Sequence, residues 1–357
     1  LPNAPVPNER VDEVLGSLDG APPRVQTFIR NMGPRILSSG GIETRHFAID
    51  PETHRLTHTV ASLGEAAARR ALEAAGMEPD EVELLVLSSP SYDQTTPTTT
   101  ILQERLGIEQ CAEMEIHSNC SGVGKAMQVA VGALTLGHYR TALIAYVQIS
   151  SVYLRSCYFT QERMNKTQAA LRYILADGAG AVVLRTAESD NGLPRRVLGT
   201  FVESVGGRLP AAMTAGGGVA DLQDWSGLAE AIVARGTHHL DQDFAAVSRD
   251  AGPRLLDGVV RLVGRLDLKP TDIDHLVLSI PTLQLYESNL ERFHATIGPG
   301  AERLKFRARH TGYCGGASIL LHFDEIVRNG ELQPGQLAVA HSVESSKWMT
   351  AGFAVRW

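Results

Sequence analysis

The run Glu115-Ile116-His117-Ser118-Asn119-Cys120-Ser121-Gly122-Val123-Gly124 passes from an apolar strand into a helix whose inner face is Val123, Met127, Ala130, Val131 and Leu134. That spacing is helical. Cys120 therefore falls at a helix start, where unpaired N–H groups and the positive end of the helix dipole favour thiolate over thiol. A thiolate so placed is nucleophilic near neutral pH. Gly122 and Gly124 let backbone or substrate approach closely. The competing reading is a buried cysteine serving as a small, inert hydrophobe, and the surroundings of the run decide between the two.

The elements around Cys120 occur twice. An Ala/Leu-rich helical stretch, Leu63 to Ala75, leads through Pro79 and a turn at Val82 into Leu84-Leu85-Val86-Leu87-Ser88-Ser89-Pro90. Later, Leu255 to Leu266 leads through Pro270 and a turn at Ile273 into Leu276-Val277-Leu278-Ser279-Ile280-Pro281. Pro79 pairs with Pro270, Ser88 with Ser279 and Pro90 with Pro281, all 191 positions apart. Cys120-Ser121-Gly122 likewise matches Cys314-Gly315-Gly316, each opening a helix that ends at a glycine, Gly137 or Gly330, before a strand. Short, near-continuously apolar strands alternating with helices imply buried mixed or parallel sheets with helices packed on them. The expected organisation is an α/β duplication with halves 1–187 and 188–357. Glycine-dense residues from about 204 to 250, with Trp225 and His238-His239, read as a cap over the site or as a surface insertion.

Composition bounds the function. The 357 residues carry 33 Lys+Arg against 40 Asp+Glu, a formal charge of −7, and 43% of them are hydrophobic. No basic stripe offers the phosphate-neutralising footprint of a nucleic-acid binder. Cys111, Cys120, Cys157 and Cys314 form no C-x-x-C pair, which argues against a disulfide framework and a structural zinc site. His54/His58 and His238-His239-x-Asp241 read as packed or solvated groups, since neither cluster completes a metal-ligand set. No stretch reaches about 18 uninterrupted apolar residues, and Leu1-Pro2-Asn3-Ala4-Pro5 lacks a signal-peptide layout. A cytoplasmic protein without a membrane role is expected.

With Gly41-Ile42-Glu43-Thr44-Arg45-His46, the Ser88–Pro97 loop, Asn119-Cys120-Ser121-Gly122, Asp177-Gly178-Ala179-Gly180-Ala181 and Pro334-Gly335-Gln336-Leu337, the chain resembles the thiolase superfamily, most closely the type III ketoacyl synthases. The resemblance implies a five-layered α-β-α-β-α thiolase fold, a homodimer, and a Cys120 that accepts an acyl group from coenzyme A or a phosphopantetheinyl carrier protein, with no resident cofactor. It also implies that the Cys120 amide helps bind the acyl oxyanion.

The chain departs from that family at the partners of the cysteine. The family's His, in an H-Q-A-N run, is replaced by Ser279 in Ser279-Ile280-Pro281-Thr282. Its Asn, in a G-N-T-S run, is replaced by Tyr313 or Cys314. The glycine loop supplying the second oxyanion amide reads His341-Ser342-Val343-Glu344-Ser345-Ser346-Lys347-Trp348. A carboxylate there opposes an enolate by like-charge repulsion, which disfavours decarboxylative condensation. Acyl transfer to an oxygen or nitrogen acceptor asks for a thiolate, an oxyanion donor and a base. His341 and Glu344 are the candidate bases, followed by His310, whereas His117 packs away from the thiol.

The donor-binding side also differs. The adenine-stacking Trp of the family is matched by Arg35 and a following Arg by Ser39, while Thr96 replaces a Phe that reaches the partner's acyl pocket. Arg35, Arg155 and Arg163 are candidates to meet phosphate or an acidic carrier face, and Asn119 and Ser346 border the expected site. Three functions follow: an acyltransferase working through acyl-Cys120 on a small-molecule acceptor, a carbon–carbon condensing enzyme with a relocated base, and a catalytically silent partner subunit.

Overall fold

The computed structural model describes residues 1–159, 166–187, 195–216, scattered positions between 218 and 236, and 238–357. Two four-stranded sheets organise the described chain. In the first, β1 (Leu84–Ser89) lies between β2 (Ala112–His117) and β3 (Thr141–Gln148), parallel to both, and β4 (Gly178–Arg185) runs antiparallel along β3. In the second, β6 (His275–Leu278) pairs in parallel with β7 (Leu337–Glu344), followed by antiparallel β8 (Met349–Arg356) and β5 (Arg196–Ser204). The series β1, β3, β4 and β6, β7, β8 repeat each other in order and direction, as the duplicated sequence anticipates.

Alternation along the strands builds the layers. In β3, Ala142, Ile144 and Tyr146 face a central core shared with Val123, Met127 and Ala130 of α4 (Gly122–Thr135) and Ala317, Ile319 and Leu320 of α6 (Ala317–Arg328). Leu143, Ala145 and Val147 face outward onto α2 (Val60–Ala75) and α3 (Thr98–Leu106). In β7, Ala338 and Ala340 face the same central helices, whereas Leu337 and Val339 pack outward on α5 (Phe244–Gly264). Both faces of each sheet are covered, which is why the strands read as unbroken apolar runs. Outer helices, sheet, paired central helices, sheet and outer helix make the five-layered thiolase fold.

One expected boundary shifts. Helix α5 starts at Phe244, inside the stretch assigned to the cap, because the Asp243 side chain accepts the Ala246 N–H at 2.9 Å and caps it. The described residues of the rest of that stretch include a two-residue ribbon, Met213–Thr214 against Asp241–Gln242; Trp225 and Arg163 lie outside the described residues. Among the described residues no helix is long and apolar enough to cross a membrane.

Candidate active site

Cys120 lies in the tight connection between β2 and α4. Gly122 donates its N–H to the Asn119 carbonyl at 2.9 Å, and the Tyr146 hydroxyl donates to the same oxygen at 3.0 Å. The turn closes only with glycine. A Cβ on Gly122 would stand 2.3 Å from Ser88 Oγ and 2.7 Å from the Tyr146 ring, and one on Gly124 would meet the backbone of Ala351 and Gly352 at 2.6 Å. This close approach presses the start of α4 against both sheets. Cys120, 8% exposed, is packed among Ile42, Phe47, Leu154, Ile174 and Tyr313.

Tyr313 OH lies 2.9 Å from Cys120 Sγ and 3.1 Å from Ser279 Oγ, and Ser279 Oγ donates to the Gly315 carbonyl at 3.1 Å. A carbonyl only accepts, so the Ser279 proton is committed to it and Ser279 Oγ accepts from the phenol. The phenol oxygen then accepts from the Cys120 thiol. Of the two residues that the sequence offered at this place, Tyr313 faces the sulfur. Cys314 turns away and donates to the Asp177 carbonyl at 3.3 Å, its own thiol pushed up by burial and by Asp177.

Glu344 enters from the second half. Its Oε2 accepts from Ser118 Oγ at 2.7 Å, from the Ser121 N–H at 3.1 Å and from Ser121 Oγ at 2.5 Å, while Ser346 Oγ donates to Oε1 at 2.5 Å. Lys125 Nζ reaches the group by donating to Ser118 Oγ at 2.8 Å. Burial works to raise the Glu344 pKa, but the bonds from Ser121, Ser346 and Ser118 and the charge of Lys125 hold it below the usual carboxylate range.

Two expectations are corrected here. The helix start does not lower the thiol: burial and the nearby Glu344 charge push Cys120 up to about 12, against which the Tyr313 hydrogen bond works only in part. The physical reason is that Glu344 already occupies the positive end of α4 through the Ser121 N–H. Nor is Glu344 the general base, because four donors fill a carboxylate that gives up its charge reluctantly.

His341 is corrected as well. It falls on the outward parity of β7, with Leu337 and Val339, and packs where a Cβ on Gly258 of α5 would stand 2.1 Å from its Nε2. Phe201 lies 6.0 Å away ring to ring, neither imidazole nitrogen has a hydrogen-bond partner among the described residues, and burial lowers its pKa to about 3. It is a core side chain on the face opposite to Glu344. His310 is exposed, 3.8 Å from Glu43.

The other anticipated residues are spread more widely. Asn119 contributes its carbonyl to the Tyr146 bond and Ser346 its hydroxyl to Glu344. Arg35 is exposed on α1 (Pro23–Gly40), Thr96 is exposed ahead of α3, and Arg155 is half-buried beside the short helix Ser151–Tyr153. Sequence reasoning passed over Ser118, Ser121 and Lys125. The available signal was two hydroxyls flanking Cys120 and a lysine one helical turn after Ser121.

Comparisons with known proteins agree with this architecture. Residues 114–202 match the family model described as 3-oxoacyl-[acyl-carrier-protein] synthase III, and residues 264–357 match its C-terminal model. The β-ketoacyl-[acyl-carrier-protein] synthase III of Rhodospirillum centenum is 31% identical over 324 residues, covering 90% of each chain. The enzyme of the same name from Methylococcus capsulatus is 27% identical and covers 84% of this chain and 83% of its own. Among solved structures, AbyA1, described as a tetronic acid condensing enzyme, superposes with a TM-score of 0.79 at 26% identity over 100% of this chain and 97% of its own. OleA of Xanthomonas campestris, with bound lauric acid and lauroyl-CoA, shares the fold at a TM-score of 0.77 and 17% identity over 100% of this chain and 96% of its own. The chain belongs to the β-ketoacyl-[acyl-carrier-protein] synthase III family of thiolase-fold enzymes.

Proposed function

We propose that this family member is an acyltransferase that forms an acyl-Cys120 thioester from a coenzyme A or carrier-protein donor and passes the acyl group to an oxygen, nitrogen or carbon acceptor in specialised metabolism. The observation that carries this reading is the bridge from Cys120 Sγ through Tyr313 OH to Ser279 Oγ at the two positions where the family places His and Asn. Neither hydroxyl is a base at neutral pH, since burial raises the Tyr313 phenol well above its ordinary value. A phenol can nevertheless pass a proton in one concerted motion.

In the first half-reaction the sulfur of Cys120 bonds to the donor carbonyl carbon, the donor C–S bond breaks, and the thiol proton leaves with the departing thiol. In the second, the acceptor heteroatom bonds to the acyl carbon and the Cys120 S–C bond breaks. The acceptor proton moves to Tyr313 oxygen while the Tyr313 proton moves to the departing sulfur, so charge balances without a separate base. A thiolate whose conjugate thiol titrates near 12 is a poor leaving group unless protonated as it departs, and Tyr313 is in reach to do so. The Cys120 amide would donate to the acyl oxyanion.

A second reading is carbon–carbon condensation, favoured by the 26% identity to AbyA1, the tetronic acid condensing enzyme. A catalytically silent subunit is disfavoured by the Gly122 and Gly124 constraints that hold Cys120 in place. The enzyme is read as a cytoplasmic homodimer that meets its partner copy along the outer edge of β2, where Met114 is 39% exposed, and takes its donor from acyl carrier protein or coenzyme A.

Intact-mass measurement after mixing with a panel of acyl thioesters tests the reading. An adduct lost in Cys120→Ala and discharged onto an acceptor without release of carbon dioxide supports acyl transfer. Carbon dioxide from a malonyl donor shifts the assignment to condensation, and no adduct with any donor shifts it to the silent subunit.

A further inference from the structure

The buried charge cluster beside Cys120 has a purpose that proton transfer to substrate does not explain. Ser118 and Ser121 flank the nucleophile, and both give their hydroxyl protons to one oxygen of Glu344, a residue that lies 223 positions beyond Ser121 and on the other sheet. The N–H of Ser121, the N-cap of α4, goes to the same oxygen. Lys125, one turn further along α4, closes the ring on Ser118 Oγ and also contacts Met349 Sδ at 3.2 Å, across the hairpin from Glu344. The carboxylate thus spends three of its four accepted bonds, all on Oε2, on Ser118 and Ser121, and it ties the end of β7 to the segment that carries the sulfur.

We propose that Glu344 and Lys125 are positioning residues, an opposed charge pair bridged by Ser118 that fixes the Cys120 turn and sets how readily its thiol ionises. Glu344 holds the sulfur protonated by its charge and by occupying the helix end. Lys125 limits that effect by cancelling part of the charge. The thiol is thereby kept from alkylation and oxidation until a donor displaces the surrounding contacts. The assignment concerns the free thiol and stands apart from the identity of acceptor or donor.

The pair predicts shifts of opposite sign. Iodoacetamide alkylation at pH 8, followed at the Cys120 peptide by mass spectrometry in the full-length protein, reads the thiolate fraction. Glu344→Gln keeps the shape and most of the hydrogen bonds and removes the charge. Alkylation is expected to accelerate about tenfold or more, since one pKa unit is a factor of ten in thiolate. Lys125→Met leaves Glu344 uncompensated and is expected to slow alkylation by a similar factor. The double variant should return towards the wild-type rate. Thermal unfolding of each variant, with rates compared only at matched folded fraction, separates the effect from partial unfolding, which accelerates alkylation in every variant. Shifts of the same sign in both single variants, or no shift in either, would overturn the proposal. Acyl-adduct formation measured on the same samples reports separately on the acyltransferase reading.

Discussion

Tyr313 OH lies 2.9 Å from Cys120 Sγ and accepts the thiol proton in the free enzyme, a neutral hydroxyl where enzymes of this family use ionisable or amide partners. Tyr313→Phe keeps the ring and removes the relay. Acylation of Cys120 should stay measurable, while discharge to the acceptor should slow by about 10²-fold or more, the usual size of a general acid–base contribution. Single-turnover mass measurements distinguish the two steps. Equal loss in both would show that the phenol serves only to pack the sulfur.

Ser279 supports Tyr313 as an acceptor. Ser279→Ala leaves the phenol a single partner and should cost about 1–3 kcal/mol of stability, the range for a buried polar group deprived of its bond. Discharge should slow less than in Tyr313→Phe, because the phenol still reaches the sulfur. Chemical denaturation and single-turnover rates measured on one preparation check both.

His341 should be dispensable for acyl transfer. His341→Leu removes two buried nitrogens that have no partner among the described residues and fills similar space between Gly258 and Phe201. Stability should hold or rise by about 1 kcal/mol, whereas His341→Ala should cost about 2–4 kcal/mol through the cavity left behind. A His341→Leu enzyme that acylates but fails to discharge would restore the histidine to the mechanism.

How much of this was legible in the sequence depends on what each feature rests on. The 191-residue offsets of Pro79/Pro270 and Ser88/Ser279 revealed the duplication, because proline and serine at strand ends mark chain direction. The helix start beside Cys120 was legible from its glycines. The bases were misread for one reason: Glu344 and His341 are three positions apart on one strand, and period-two alternation sends them to opposite faces. Nearness in sequence suggested a shared site. The low-pKa expectation failed because the charge that opposes it, Glu344, comes from the other end of the chain, and no local pattern records that meeting.

Acid should unfold the protein through its buried histidines. His341 and His322 titrate at about 3 in the fold against 6.5 ordinarily, in both cases because burial disfavours the cation. The unfolded chain therefore binds protons first as pH falls below 6.5, and stability is lost from there towards 3, by up to about 1.4 kcal/mol per pH unit for each histidine. Asp177 acts in the opposite sense. Burial raises it from 3.8 to about 6, so its contribution is present at low pH and lost as pH rises through 6. Two histidines outweigh one aspartate, and urea midpoints should fall from pH 7 to pH 5. His341→Leu should flatten that slope.

Gly122→Ala and Gly316→Ala should each destabilise by about 1–3 kcal/mol, the overpacking range. A Cβ at either position would stand 2.7 Å from the Tyr146 ring. Thermal unfolding of the two variants checks this, and a Gly122→Ala protein as stable as wild type would mean that α4 is free to withdraw.

That ring packs against two matching helix starts, one from each half of the duplicated chain, and meets both Gly122 and Gly316. It works as a spacer on the pseudo-dyad. The approach of the helix carrying Cys120 to the helix following Tyr313 is limited by this side chain, so the reach from sulfur to phenol depends on a residue that belongs to neither helix. Variation at Tyr146 would change the spacing of those helix starts and, with it, the distance over which sulfur and phenol meet.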